Sequence, residues 1–325
     1  MTARETSDGR GGYGWPARLH VVTGKGGTGK TTVAAALALA LARDGKRTLL
    51  IEVEARQGIA QLFDRDPLPY REMRIATAPG GGEMRALAVD AEEALLEYLE
   101  MFYRLGVAGR ALRKVGAVDF ATTVAPGLRD VLLTGKIKEA VTRTADGRRV
   151  YDAVVLDAPP TGRVGRFLNV TAETARLAKV GPIKTQSEGV AAILRSPMTA
   201  VHVVTLLEEM PVQETADAID ELTRLGIPIG TVIVNATRPP VLAGVKITQA
   251  DLRRGLGAAG VPADKDTLAG LAGEARAYQT KVAAEGSLRA ELQSLGRPVV
   301  ELPVFPEGVT AATLESLGDL LLTSA

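Results

Sequence analysis

"VVTGKGGTGKTT", residues 21–32, is the stretch on which the fold reading rests. An apolar strand-like run, "ARLHVVT" (17–23), leads into it, and an Ala/Leu-rich helical run (30–43) leads out. The frame Gly24, Gly29, Lys30, Thr31 fills the phosphate-loop pattern G-x-x-x-x-G-K-[ST]. Glycines at 24, 26, 27 and 29, with Thr28 among them, let successive N–H groups turn toward an anion with no Cβ in the way. The following helix directs its N-terminal dipole at the same point. In this reading Gly26, Gly27, Thr28, Gly29, Lys30, Thr31 and Thr32 form the nucleotide cradle. Lys30 contacts the β and γ phosphates and the Thr31 hydroxyl ligates Mg²⁺. Lys25 is surplus to that pattern.

Outward from the loop, short Val/Ile/Leu-rich runs fall at 47–53, 84–90, 151–157, 200–206, 230–235 and 297–303. Helical patterns lie between them, including 91–105, 213–225, 264–294 and 309–323. Strands apolar on both sides and alternating with helices predict an α/β doubly wound fold, with a mainly parallel sheet covered by helices on both faces. The spans 91–150 and 164–198 exceed a simple crossover and read as helical insertions forming a subdomain. One phosphate-loop domain with a helical subdomain is therefore expected over 17–325. It follows a polar, Gly-rich tail (1–16) that lacks the apolar core of a signal peptide.

Composition narrows the function. Thirty-nine Lys and Arg against 38 Asp and Glu give a formal charge of +1, so no global attraction to nucleic acid or anionic lipid is expected. Cysteine is absent, which excludes disulfides, thiolate metal sites, iron–sulfur clusters and cysteine nucleophiles. His20 and His202 sit in apolar strand-like runs and read as buried structural residues, so no zinc is expected. The longest apolar run, 33–42, is about half a bilayer span, and the expected location is cytoplasmic, reaching a membrane only through a partner.

A magnesium-nucleotide site also needs a carboxylate at a nearby strand end. "YDAVVLDAPPTG" (151–162) supplies Asp157, followed by the chain-breaking Pro159, Pro160 and Gly162 expected of a γ-phosphate sensor. Asp152 opens the same strand, at the wrong end. "GKGGTGKTT" resembles the deviant Walker A loop of a class of dimeric ATPases. The class includes arsenical-pump, tail-anchored-protein-targeting, septum-positioning and partition ATPases and nitrogenase iron protein. The resemblance implies ATP with Mg²⁺, and it implies that Lys25 crosses a dimer interface to the partner's phosphates. The arsenical-pump and tail-anchor-targeting branch is the nearer match. "DAPPTGR" is similar to its switch II pattern D-T-A-P-T-G-H at Asp157, Pro160, Thr161 and Gly162. "EMPVQET" (209–215) resembles its stretch before a helix, "VIVN" ending in Asn235 its adenine-contacting strand end, and "LPVFPEGVTAATL" (302–314) its closing loop, with Pro303 against the base.

Two departures qualify that resemblance. Where the branch's switch I reads D-P-A-H-N, this chain reads "EARQG", placing Glu54 at the water-orienting position and Gly58 at the asparagine. Glu54 can polarise a water, but its extra methylene moves the carboxylate. Glu52, within the strand, is the rival and reads as structural or as an outer-sphere magnesium group. Absence of cysteine also removes the thiolate metalloid site, the C-x-x-C zinc clamp and the iron–sulfur cluster known elsewhere in the class.

The resemblance then implies a homodimer, or a heterodimer with a related ATPase, with a protein client or membrane partner on the helical subdomain and no specific nucleic acid. The stripe Leu95, Leu96, Leu99, Phe102, Tyr103 reads as core and the group Arg110, Arg113, Lys114 as a solvated face. Two alternatives stand beside the client-binding switch. A partition or positioning ATPase requires a basic surface or tail, and "LESLGDLLLTSA" has no lysine or arginine. An anion-pump motor requires stimulation by its anion or channel.

Overall fold

The computed structural model describes residues 17–54, 56–103, 126–169 and 181–323. In chain order the elements are β1 (Leu19–Gly24), α1 (Lys30–Leu41), β2 (Arg47–Glu52), α2 (Gly58–Leu62), β3 (Met73–Thr77), β4 (Glu83–Ala88) and α3 (Ala91–Tyr103). There follow α4 (Pro126–Thr142), a hairpin of β5 (Thr144–Ala145) and β6 (Arg148–Arg149), β7 (Ala153–Asp157), α5 (Thr161–Leu168) and α6 (Pro182–Leu194). The last elements are β8 (Thr199–Thr205), α7 (Glu209–Arg224), β9 (Ile229–Thr237), α8 (Gln249–Ala258), α9 (Lys265–Ser294), β10 (Val299–Pro303) and α10 (Ala311–Thr323). The tail 1–16, the group Arg110, Arg113, Lys114 and the side chains of Phe102 and Tyr103 lie outside the described residues.

Eight strands form one sheet in the order β10-β9-β8-β1-β7-β2-β4-β3. Every neighbouring pair is parallel except β3 with β4. The strand side chains divide with period two. Leu19, Val21, Leu49, Ile51, Val154 and Leu156 join the core under α3 to α6. Val22, Leu50, Val155 and Val204 join the core under α1 and α10. Both faces are thus dry, which is why these strands read as continuous apolar runs. From β1 the chain first builds one flank, β2 to β7, and then the other, β8 to β10. The crevice at the carboxyl ends beside β1 is the place where open α/β sheets bind ligands.

Helix α1 is buried from Val33 to Ala40. A helix apolar all round must be enclosed, and α10 closes its outer side. A Cβ on Gly318 would lie 2.9 Å from the Ala40 Cβ, so the small residues set how closely these helices approach.

Three local features differ from the sequence expectation. Strand β3 is an edge strand in which only Ile75 is buried, so its apolar signal is one residue deep. Helix α7 begins at Glu209, not 213, because Pro211 sits in the first turn, where amide donors have no intrahelical partner to lose. Helix α9 is 30 residues long but buries only Leu268, Ala272 and Leu292, and α8 buries none. Among the described residues no helix is long and apolar enough to cross a membrane.

Candidate active site

The glycine loop lies between β1 and α1, at the carboxyl edge of the sheet. Gly24 passes so close to β8 that a Cβ there would stand 2.1 Å from the Val204 carbonyl oxygen. Gly27 and Gly29 adopt left-handed φ values of 88° and 87°, conformations that cost a side-chain-bearing residue energy. The loop also bonds to itself. The Lys25 carbonyl accepts from the Thr28 N–H (3.3 Å), the Thr28 hydroxyl (2.9 Å) and the Lys30 ammonium (3.3 Å). Lys30 is buried, and desolvation lowers its pKa against the opposing pull of Asp157 and Glu54.

Asp157 ends β7 with Glu52 of β2 as its register partner and accepts a 2.6 Å hydrogen bond from the Thr31 hydroxyl. Burial pushes its carboxyl up to about 6, with Glu52 and Glu54 adding repulsion and Thr31 and Lys30 opposing the rise. A buried carboxylate beside two others is short of positive charge. One hydroxyl and one carboxylate in contact, beside a phosphate cradle, are the donor set that Mg²⁺ takes when phosphate and water complete its shell. Among the described residues no three His, Cys, Asp or Glu converge as a cage for a metal ion. Asp152 lies at the other end of β7, where its carboxylate accepts from the Arg47 N–H at 2.8 Å.

The two acidic candidates of switch I have different partners. Glu52 is turned onto the start of α2, accepting from the N–H groups of Gly58 (3.1 Å) and Ile59 (3.4 Å), and so caps that helix. Glu54 faces a polar cavity of about 200 Å³ that Arg56, Arg129, Asp130, Pro159 and Arg163 also line. Its carboxylate accepts from the Arg163 guanidinium at 3.4 Å and pairs with Arg56 at 3.6 Å. Gly58 packs against Thr31, where a Cβ would stand 3.3 Å from the threonine methyl.

Lys25 makes a close ion pair with Glu214 of α7. Hydrogen bonding from Lys25 holds the Glu214 carboxyl below its ordinary value. Its other oxygen accepts from the Thr161 hydroxyl at the start of α5, at 3.0 Å. The Thr23 hydroxyl donates to the Pro159 carbonyl at 2.7 Å, a second tie between the loop strand and the segment after Asp157. The sequence reading did not single out Glu214 or Arg163. Their only sequence signals were an acid early in the helix after β8 and an arginine where the resembled pattern has histidine.

Asn235 lies against the loop, donating from Nδ2 to the Thr28 carbonyl at 2.9 Å, and a Cβ on Gly29 would meet that nitrogen at 2.3 Å. Its carbonyl oxygen and second N–H are left for another group. Pro303 ends β10 in register with Thr237, and is reached through β9 from the strands that hold the loop. The structure thus gathers Lys25, Lys30, Thr31, Asp157 and Asn235 around one loop, whereas Pro303 stands on β10, at the edge of the sheet and three strands from β1. His20 and His202 are fully buried on β1 and β8.

Residues 17–191 match the family model described as anion-transporting ATPase. The chain is 53% identical over 330 residues to the ATPase BagA of Mycobacterium tuberculosis, with 97% of each chain covered. It is 25% identical over 253 residues to the ATPase GET3 of Kluyveromyces lactis, covering 67% of this chain and 71% of that one. An arsenical pump-driving ATPase of Escherichia coli is 25% identical over 237 residues, 67% of this chain and 39% of the pump protein.

Proposed function

The chain belongs to the anion-transporting ATPase family, and from that premise we propose that it is a dimeric switch whose subunits close on magnesium-ATP and open after hydrolysis. The observation that carries the proposal is the chain of contacts from Lys25 through Glu214 to Thr161. It joins the surplus lysine of the phosphate loop to the segment that follows the magnesium-type carboxylate.

Each residue then has a task. The amides of Gly26 to Lys30 receive the phosphates, and Lys30 leaves the Lys25 carbonyl to meet them. Thr31 and Asp157, hydrogen-bonded to each other, would hold Mg²⁺, which would supply positive charge to the transferring phosphoryl group. Glu54 orients the attacking water once Arg163 and Arg56 release it. Lys25, released from Glu214, supplies its charge across the subunit interface, as a trans-acting cation does in other phosphoryl-transfer enzymes. The free edge of the Asn235 amide favours adenine, which presents a donor and an acceptor side by side. A client or partner protein on the helical elements between β4 and β8 would read the state of the switch.

Light scattering tests the proposal. The wild-type chain, alone or with a related ATPase chain as partner, should dimerise on magnesium-ATP and not on ADP. Lys25→Ala should bind nucleotide yet fail to close. Equal dimerisation of the Lys25→Ala protein would end the trans-acting role.

A further inference from the structure

The cavity that Glu54 faces is larger than one attacking water needs. Its volume of about 200 Å³ is many times the roughly 10–15 Å³ that suffices for a single water. Its charged lining comes from separate parts of the chain: Glu54 and Arg56 between β2 and α2, Arg129 and Asp130 from the start of α4, and Arg163 from α5. Three arginines against two carboxylates leave a charge of +1, and the amino end of α4 adds its dipole. The space favours an anion.

The three arginines are not equally engaged. Arg56 and Arg163 both turn to Glu54, at 3.6 Å and 3.4 Å, and both are largely exposed. Such pairs hold weakly, and one carboxylate shared by two guanidiniums leaves most of their donors unused. Arg129 makes no side-chain hydrogen bond or ion pair among the described residues. A guanidinium presents its donors as a fork that fits phosphate oxygens two at a time. Three such forks around a polar cavity, with Glu54 only loosely held between two of them, are the donor set of an oxyanion site.

The position of the cavity indicates which oxyanion. Glu54 lies just past the end of β2 and Pro159 two residues past Asp157, so the cavity lies between the two segments that flank the place of the γ-phosphate. Lys30 feels the charges of both Glu54 and Arg56. Hydrolysis adds water to the γ-phosphorus, breaks its bond to the oxygen that ADP retains, and leaves hydrogen phosphate and a proton. We propose that this cavity receives that hydrogen phosphate as it leaves the nucleotide, clamped by Arg129 and by Arg163, which exchanges Glu54 for the product. The inference rests on ATP hydrolysis by the family and not on the dimeric switch.

The test is a calorimetric titration of inorganic phosphate into the full chain saturated with magnesium-ADP. Phosphate should bind saturably and should inhibit steady-state hydrolysis by the wild-type chain over the same concentrations. Arg129→Ala and Arg163→Ala should each weaken phosphate binding about tenfold or more, the worth of a hydrogen bond to a charged group, with magnesium-ADP affinity unchanged. Arg129→Lys keeps the charge but not the fork and should recover only part of the loss. Arg129→Gln serves in place of the alanine variant should that one misfold. The proposal would be overturned by absence of saturable phosphate binding, by phosphate that binds without inhibiting, or by unchanged phosphate affinity in Arg129→Ala. A parallel loss of phosphate and ADP affinity would overturn it too, by placing the phosphate in the glycine loop.

Discussion

Lys25 and Glu214 are ion-paired within one chain, so the lysine assigned to a partner's nucleotide is engaged at home. Both side chains are about one-third exposed, at 32% and 31%, and exposed pairs are worth at most about 1 kcal/mol. The pair is therefore a weak latch, which a nucleotide-driven interface can open. Glu214→Gln should lower the ATP concentration for half-maximal dimerisation by up to about fivefold, the equivalent of that energy. Light scattering across an ATP titration reads the effect. An unchanged midpoint would show that the pair has no holding role.

Glu54 is the only carboxylate of switch I free of a backbone capping duty, since Glu52 is committed to Gly58 and Ile59. Glu54→Gln should slow turnover by roughly 10²–10⁴ with nucleotide binding nearly intact, the range for a positioned base. Glu52→Gln should instead lower thermal stability, since its acceptors hold the start of α2. Steady-state rates and melting curves on the two variants separate the roles. A larger rate loss from Glu52→Gln at unchanged stability would reverse the assignments.

The buried carboxylate of Asp157 costs the fold stability. Its folded pKa of about 6 lies above the ordinary 3.8, so the folded chain binds the proton more tightly than the unfolded chain does. That contribution is complete below about 4 and is lost as pH rises through about 6, at a cost of roughly 1–3 kcal/mol at neutral pH. Asp157→Asn keeps an acceptor for Thr31 and removes the charge. It should raise the melting temperature of the nucleotide-free protein at pH 7.5 and abolish the further rise that magnesium-ATP gives the wild type. A variant that melts lower, or still responds to magnesium-ATP, would contradict this role.

The sheet and the loop were legible in the sequence because both are local. Two-sided apolar runs such as "YDAVVLD" announce strands enclosed on both faces, and the glycines at 24, 27 and 29 each meet a requirement that only glycine satisfies. Side-chain pairings across the fold were not legible. Lys25 and Glu214 are 189 positions apart, and the packing of α7 against β1, the strand that leads into the loop, brings them together. Helix α9 carries a helical pattern whether or not anything covers it, so its exposure had no sequence signal.

His20 and His202 stack in the core with ring centroids 5.4 Å apart and bond Nδ1 to Nε2 at 3.1 Å. The Thr231 N–H donates to His202 Nδ1, so His202 Nε2 carries the hydrogen for His20, and His20 Nε2 donates to the Ala17 carbonyl. Both rings are neutral. Burial lowers His20 to about 4 and His202 well below its ordinary value. The unfolded chain therefore binds more protons below about 6.5, and stability falls as pH drops from there through 4. By pH 5 the pair should cost on the order of 2–4 kcal/mol relative to pH 7.5, read from urea midpoints. The Cε1 proton shifts of both rings should stay constant over that range while the protein is folded. A titrating ring signal in the folded protein would refute the neutral pair.

The trans role of Lys25 has the sharpest test. With Lys30 proposed to serve the chain's own phosphates, a second loop lysine adds transition-state stabilisation only by reaching another subunit, where such a cation is worth roughly 10³–10⁵ in rate. Lys25→Ala and Lys30→Ala should each be inactive alone. In a mixed dimer, one site combines an intact Lys30 in its own loop with an intact Lys25 from the other chain, so mixing should restore part of the activity. The same logic applies to a related partner chain, in which the two substitutions are divided between the partners. The active fraction should follow the fraction of mixed dimers, which native mass spectrometry counts. Verified mixed dimers without recovery would mean that Lys25 acts on its own nucleotide, and the pair with Glu214 would then be a contact within the site and not a latch on the interface.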